Sequence, residues 1–291
     1  MHQQFGRSVG SLLGCSLEQL FPQGVPTGTG DCCAPKLLAW AARQQMLPLA
    51  MAELWWGPTS VGDKVSGQFY PACRERCQPM MGALLAAAQR APVKVLHSDD
   101  RLLVVNKPSG LLTVPGRYPW NQDCLLHRLK EGAWPEALPV HRLDLETSGL
   151  VVLARDPSAQ ADLQDQFAKR QAVKTYQALL ACSPRSRQGR IDRALAPDPA
   201  RPGCYRVDAD GKLAITEFRM LEHATNRMEL FPFTGRSHQL RVHMAQALGA
   251  PIRGDRLYGD GGERLHLHAW RLLFSHPSGG QRVDFEAPLP F

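Results

Sequence analysis

Long apolar runs are scarce in this 291-residue chain, and Met81–Ala88 and Leu150–Ala154 are among the longest. Both fall far short of the roughly 20 residues that a membrane-spanning helix needs, so no membrane partner is expected. Met1–Gly10 lacks the apolar centre of a secretory signal, which points to a cytoplasmic protein. Glycine-rich nucleotide fingerprints are also missing. Thr27-Gly28-Thr29-Gly30 is neither strand–turn–helix in context nor a P-loop, so no nucleotide cofactor is expected. Eight cysteines without an export signal favour reduced thiols or a metal site over four disulfides. What is present is ordinary for a folded protein: 44% hydrophobic and 21% charged residues, enough to build a core and too apolar for wholesale disorder. The formal charge of +7 suits a polyanionic partner without demanding one.

The chain reads as two regions. Residues 1–92 hold Trp40, Trp55 and Trp56 and the cysteines Cys32, Cys33, Cys73 and Cys77, with seven Lys+Arg against five Asp+Glu. An alanine-rich helical stretch, Gly82–Arg90, ends at Pro92 and sets the boundary. Beyond it, Val93–His97 and Leu102–Asn106 flank a tight connection and predict a hairpin, followed by the turn Pro108-Ser109-Gly110. Further strands are expected at Leu150–Ala154, Thr175–Ala181, Thr216–Leu221 and Met228–Phe231. Helices are expected from Asp156-Pro157 through Arg170 and over Ser237–Leu248. Many strands and few helices predict an α+β fold with a predominantly antiparallel, mixed sheet and flanking helices over 93–291, plus a small N-terminal domain.

Two segments concentrate reactive side chains. In His141-Arg142-Leu143-Asp144-Leu145-Glu146-Thr147-Ser148-Gly149-Leu150, an extended backbone puts Arg142 and Asp144 on one side, ahead of a bend and a buried strand. A carboxylate kept ionised by a neighbouring guanidinium suits nucleophilic work, and a surface pair closing a loop is the plain alternative. In Thr234-Gly235-Arg236-Ser237-His238-Gln239-Leu240-Arg241-Val242-His243, a glycine opens a helix bearing Arg236, His238 and Arg241. That arrangement suits a phosphate or carboxylate, or is simply a solvated basic face.

Together with Val104–Leu112, Lys174-Thr175-Tyr176 and Gly254–Gly259, these segments run in the order found in RluA-type pseudouridine synthases, which residues 94–291 resemble. The run Leu111–Arg117 and Ser237 look closest to the branch acting on both tRNA and 23S ribosomal RNA. The resemblance implies isomerisation of uridine to pseudouridine in structured RNA, rRNA or tRNA, without a catalytic cofactor. It also implies that the target base is flipped from its stack. It makes Asp144 the catalytic carboxylate, Tyr176 the aromatic residue against the uracil face, and Arg236 the partner of Asp144. Arg142 is expected to fill the vacated space or hold the flipped nucleotide, and Leu240 to wall the base slot. Substrate contact is also assigned to Arg241 and to Lys107, for which a solvated turn lysine is the alternative. His141, His238 and His243 are expected to orient neighbours rather than to exchange protons.

Residues 1–92 do not resemble the small S4-type RNA-binding module common in that family. Cys73-Arg74-Glu75-Arg76-Cys77 has zinc-ligand spacing, and Cys32 and Cys33 could complete a structural zinc site, with buried free thiols as the alternative. Two rival readings accompany the enzyme: an RNA-binding or RNA-folding protein whose catalysis is secondary or lost, and a zinc-dependent interaction module at the N-terminus.

Overall fold

Alternation along two neighbouring strands explains how the core of the larger unit is layered. In β2 (Leu102–Lys107), Leu102 and Val104 enter one apolar cluster while Leu103 and Val105 enter another. In β4 (Ser148–Ala154), Leu150 and Val152 face the first cluster and Val151 and Leu153 the second. A strand has period two, so a continuous apolar run means that both faces are covered. The first face is covered by α3 (Pro157–Ala168) through Ala159 and Leu163, the second by α2 (Leu125–Glu131) through Leu125 and Leu129. Fully burying each such leucine contributes about 1.5–3 kcal/mol. Asp156 starts α3 by accepting the Ala159 N–H at 2.9 Å, with Pro157 in the first turn.

The computed structural model describes residues 21–43, 48, 51–58, 65–70, 73, 76–81, 84, 93–116 and 123–291. The chain divides into two compact units, Met1–Pro92 with Arg117–Gln122 and Val93–Gly116 with Asp123–Phe291. The second holds a ten-stranded mixed sheet. Its main path is β1 (Lys94–Ser98), β2, β4, β11 (Leu267–Ser275), β5 (Val173–Leu179), β10 (Arg227–Pro232), β9 (Ile215–Glu222) and β6 (Gln188–Asp192). Two further strands, β3 (Leu138–Pro139) and β12 (Arg282–Glu286), pair with β4 and β11, and a separate hairpin joins β7 (Leu195–Pro197) to β8 (Tyr205–Val207). Every pairing in the large sheet is antiparallel except β4 with β11, at Ser148 opposite His268 and Gly149 opposite Ala269. Gly149 makes that pairing feasible. Its φ is +115°, and a Cβ there would lie 2.3 Å from the Ala269 carbonyl oxygen. The segment just before β4 is thereby brought beside β11 and β5.

The helix expected over Ser237–Leu248 is shorter and irregular. Only Gln239–Val242 (α4) is α-helical, and His243–Ala247 continues as a π turn in which the Leu248 N–H reaches the His243 carbonyl at 3.0 Å. The turn keeps His243 buried between two fixed partners. Its Nε2 donates to the Arg193 carbonyl at 3.0 Å, and its Nδ1 accepts from the Thr216 hydroxyl at 2.9 Å. In the N-terminal unit, α1 (Cys33–Arg43) buries Ala34, Leu38 and Ala39, and its first turn is capped by Glu53, which accepts the Ala34 N–H at 2.9 Å. The helix expected over Gly82–Arg90 falls mostly outside the described residues.

Candidate active site

Asp144 sits in a short loop that backbone groups alone would leave loosely held. A second segment, the end of β2 and the turn after it, braces that loop from behind. Thr113 Oγ1 donates to the Leu143 carbonyl at 2.9 Å and accepts the Leu143 N–H at 3.1 Å. The Gly110 N–H reaches the Leu145 carbonyl at 2.9 Å, and Ser109 Oγ donates to the Glu146 carbonyl at 2.6 Å. Lys107 completes the brace. Its side chain is wholly buried and its ammonium donates to the carbonyls of Leu111 at 2.7 Å, Pro108 at 3.0 Å and Leu145 at 3.2 Å. Burial lowers its pKa to about 7 against the opposing pull of Asp144.

The expectation that Lys107 contacts substrate phosphate is therefore corrected. All three ammonium protons point into the protein, and no surface is left to meet RNA.

In front of the loop lies a cleft of about 470 Å³. Asp144, Tyr176, Arg236, Arg142, Leu240 and Arg241 all line it, so six of the residues singled out in the sequence come together. Asp144 is the one carboxylate among the lining residues, against the cations Arg142, Arg170, Lys174, Arg236 and Arg241. Its carboxylate has no hydrogen bond or ion pair with any described residue and is left for a ligand. Tyr176, on β5, is half-buried, packs between two apolar clusters, and has its phenol pKa pushed up by burial and by Asp144. It stays protonated at neutral pH and presents an aromatic face with a donor. Leu240, 7% exposed, adds an apolar wall. Arg142 is exposed, and its guanidinium is without a partner among the described residues.

Two arginines depart from expectation. Arg236 does not pair with Asp144; it is exposed and its Nε donates to the Leu213 carbonyl at 3.0 Å. Arg241, read as a substrate contact, is 2% exposed and already engaged. Its Nε and Nη2 bind Asp255 at 2.8 and 2.6 Å, and Nη2 also meets Glu146 at 2.9 Å. Burial opposes this guanidinium's charge, but Asp255, Glu146 and Asp144 outweigh it and hold its pKa above the usual value. Arg241 is thus the fixed positive charge of the cleft wall and not a free hand for phosphate.

A sequence profile described as RNA pseudouridylate synthase matches residues 101–246. The chain belongs to that family. The dual-specificity RNA pseudouridine synthase RluA of Escherichia coli (strain K12) is 44% identical over 209 residues, covering 68% of this chain and 93% of the relative. The protein of the same description from Vibrio vulnificus (strain CMCP6) is 46% identical over 211 residues, 68% of this chain and 84% of its own. Among solved structures, human RNA pseudouridylate synthase domain containing 1 superposes with a TM-score of 0.58 at 28% identity, covering 69% of this chain and 84% of that one. The N-terminal third of the chain is unmatched.

In this synthase the three histidines singled out earlier have structural partners. The His141 Nε2 accepts the Val152 N–H at 3.0 Å and the ring stacks on Phe167 at 4.5 Å; burial lowers its pKa to about 3, so it is neutral. His238 borders the cleft in a left-handed conformation, φ +57°. The Tyr258 hydroxyl accepts the Tyr205 N–H at 2.8 Å and offers its own proton to His238 Nδ1, also at 2.8 Å. Burial lowers the His238 pKa, with Asp144 opposing.

Gln239 escaped notice in the sequence. Wholly inside, it accepts from Thr234 Oγ1 (2.6 Å) and the Arg236 N–H (3.1 Å) and donates to the Ile215 carbonyl (2.9 Å) and Thr216 Oγ1 (3.0 Å). One side chain thus ties the loop carrying Arg236 to β9. A buried amide with all these bonds met is the signal that could have found it, but sequence alone does not show burial. Of the four cysteines proposed as metal ligands, the structure brings together Cys32, Cys73 and Cys77 and leaves Cys33 exposed outside the group. No helix among the described residues is long and apolar enough to cross a membrane.

Proposed function

We propose that this synthase isomerises uridine to pseudouridine at chosen positions of structured ribosomal or transfer RNA in the cytoplasm, with Asp144 as the catalytic carboxylate. The observation that carries the reading is Asp144, without a partner among the described residues and the one carboxylate among the cations of a cleft that Tyr176 also lines. A flipped uridine fits between the Tyr176 face and the Leu240 wall, and the cleft's cations receive the phosphates beside it. Asp144 acts at the sugar–base junction, as nucleophile or as the countercharge that lets the bond from C1′ to N1 break. The uracil turns, C5 bonds to C1′, the C5 proton departs and N1 gains one, so atoms balance without redox change or cofactor. Arg142, exposed and free, is suited to occupy the place left by the flipped base. Arg241 and Lys107 act through the backbone and the field around Asp144.

Release of tritium from RNA labelled at uridine C5 tests the assignment. Asp144→Asn should abolish release, by about 1000-fold or more, while RNA affinity stays within several-fold. Full turnover by that variant removes Asp144 from the mechanism. Binding without release by the unaltered protein would favour the RNA-folding rival.

A further inference from the structure

We infer that Cys32, Cys73 and Cys77 form a mononuclear zinc site that staples the N-terminal unit. This goes beyond the catalytic reading and does not depend on it. The three sulfurs all lie within 4.8 Å of one another, and the Cys32 and Cys73 sulfurs are 3.9 Å apart. A tetrahedral zinc with Zn–S bonds of about 2.3 Å sets neighbouring sulfurs about 3.8 Å apart, so the observed edge is that of a ligand tetrahedron. A disulfide would need about 2.05 Å, and pairing two of three thiols would strand the third. A cubane iron–sulfur cluster spreads its cysteines over separate irons, so three sulfurs gathered this tightly favour a single ion.

The backbone explains how they gather. The N–H groups of Cys77 and Gln78 both bond to the Cys73 carbonyl, at 3.1 and 3.0 Å, which holds the two cysteines close together. Cys32 sits just before α1, where the Glu53 cap on Ala34 fixes the start of the helix. Cys33 opens α1 and is exposed, so adjacency in sequence does not make it a fourth ligand. Among the described residues no fourth histidine, cysteine or carboxylate joins the cluster, which leaves the last vertex to water or to a donor outside them. Such an ion ties positions 41 residues apart. Closing a loop of that length is worth most where the apolar core is small, and the described core of this unit is little more than Phe21, Ala34, Leu38, Ala39, Met80 and Leu84.

Elemental analysis of the full-length protein, purified under reducing conditions and reconstituted with zinc chloride, should find about one zinc per chain. Cys33→Ser should keep that zinc, and Cys32→Ser and Cys73→Ser should lose it. Because a cysteine variant could misfold, the unaltered protein gives a second readout. Alkylation followed by mass spectrometry should show Cys32, Cys73 and Cys77 protected until a chelator is added, while Cys33 and Cys182 react throughout. Zinc below about a tenth of an equivalent after reconstitution overturns the site. So does full zinc retention in the Cys32→Ser and Cys73→Ser double variant, alkylation indifferent to the chelator, or iron in place of zinc at equal stoichiometry.

Discussion

Around the Asp144 loop and its cleft, two kinds of cation contrast, and the contrast explains how the site is built. Arg241 and Lys107 are buried, each bonded on several sides, and their nitrogens are fixed in space. Arg142 and Arg236 are exposed, and among the described residues their guanidiniums make a single hydrogen bond, from Arg236 to the Leu213 carbonyl. Buried ions cost desolvation and repay it only with full pairing, so they serve a site as rigid scaffolding. Exposed guanidiniums keep their mobility and can follow a phosphate or slide into a stack. The buried pair holds the Asp144 loop at Leu145 and Glu146, and the exposed pair is not held in this way.

Removing Arg241 should break that contrast most severely. Arg241→Met takes from the wholly buried Asp255 its counterion and two hydrogen bonds, leaving it only the N–H groups of Leu257 and Tyr258, and should destabilise the synthase by about 3–5 kcal/mol. A second change, Asp255→Asn, should recover part of the loss. Urea midpoints of the three proteins measure both effects. A loss under about 1 kcal/mol for Arg241→Met would mean that the ion pair is not the scaffold described.

Lys107→Met should come next, at about 2–4 kcal/mol, because three carbonyls each lose a donor, Leu145 alone keeping a second one in the Gly110 N–H. Here pH sharpens the comparison. Folding lowers this base's pKa to about 7, so between there and the ordinary lysine value near 10.4 the unfolded chain holds a proton that the folded chain has released. Stability from Lys107 therefore rises with pH across that window, and below it both states are charged and the full burial cost is present. The advantage of the unaltered protein over Lys107→Met should grow by up to about 3 kcal/mol from about pH 6.5 to about pH 9.5. A pH-independent difference would mean that the ammonium keeps its proton throughout, held by its three carbonyls.

How much of this was legible in the sequence differs residue by residue. The Asp144 loop was readable because turn residues separate a charged run from β4, whose apolar run admits only a strand covered on both faces. Lys107 was misread because a lysine in a Pro-Ser-Gly turn is usually solvated. Its burial depends on carbonyls from the Asp144 loop, 38 residues away at Leu145. Arg236 and Arg241 carry the same charge five positions apart, and only the placement of Asp255 decides which is engaged. Ser237–Leu248 reads as one helix, and it is a buried His243, bonded to Thr216 of β9 and to Arg193, that sits where the π turn begins. Cys32 and Cys33 were equivalent on paper until the start of α1 turned one outward.

The smallest expected effect on stability belongs to Arg142. With no partner to lose, Arg142→Ala should leave the urea midpoint within about 0.5 kcal/mol. Turnover is another matter, since a flipped base costs a few kcal/mol of lost stacking that a guanidinium in the gap can offset. Loss of about 10- to 100-fold in turnover is expected on a duplexed target, and much less on an RNA whose target uridine is already unstacked. Salt dependence separates the two uses of an exposed arginine. Lost phosphate contact would lower the slope of log affinity against log salt by about 1 on every RNA, whereas a gap-filling side chain leaves the slope alone. Equal losses on stacked and unstacked targets, together with a reduced slope, would assign Arg142 to the backbone and leave the vacated stack to another residue.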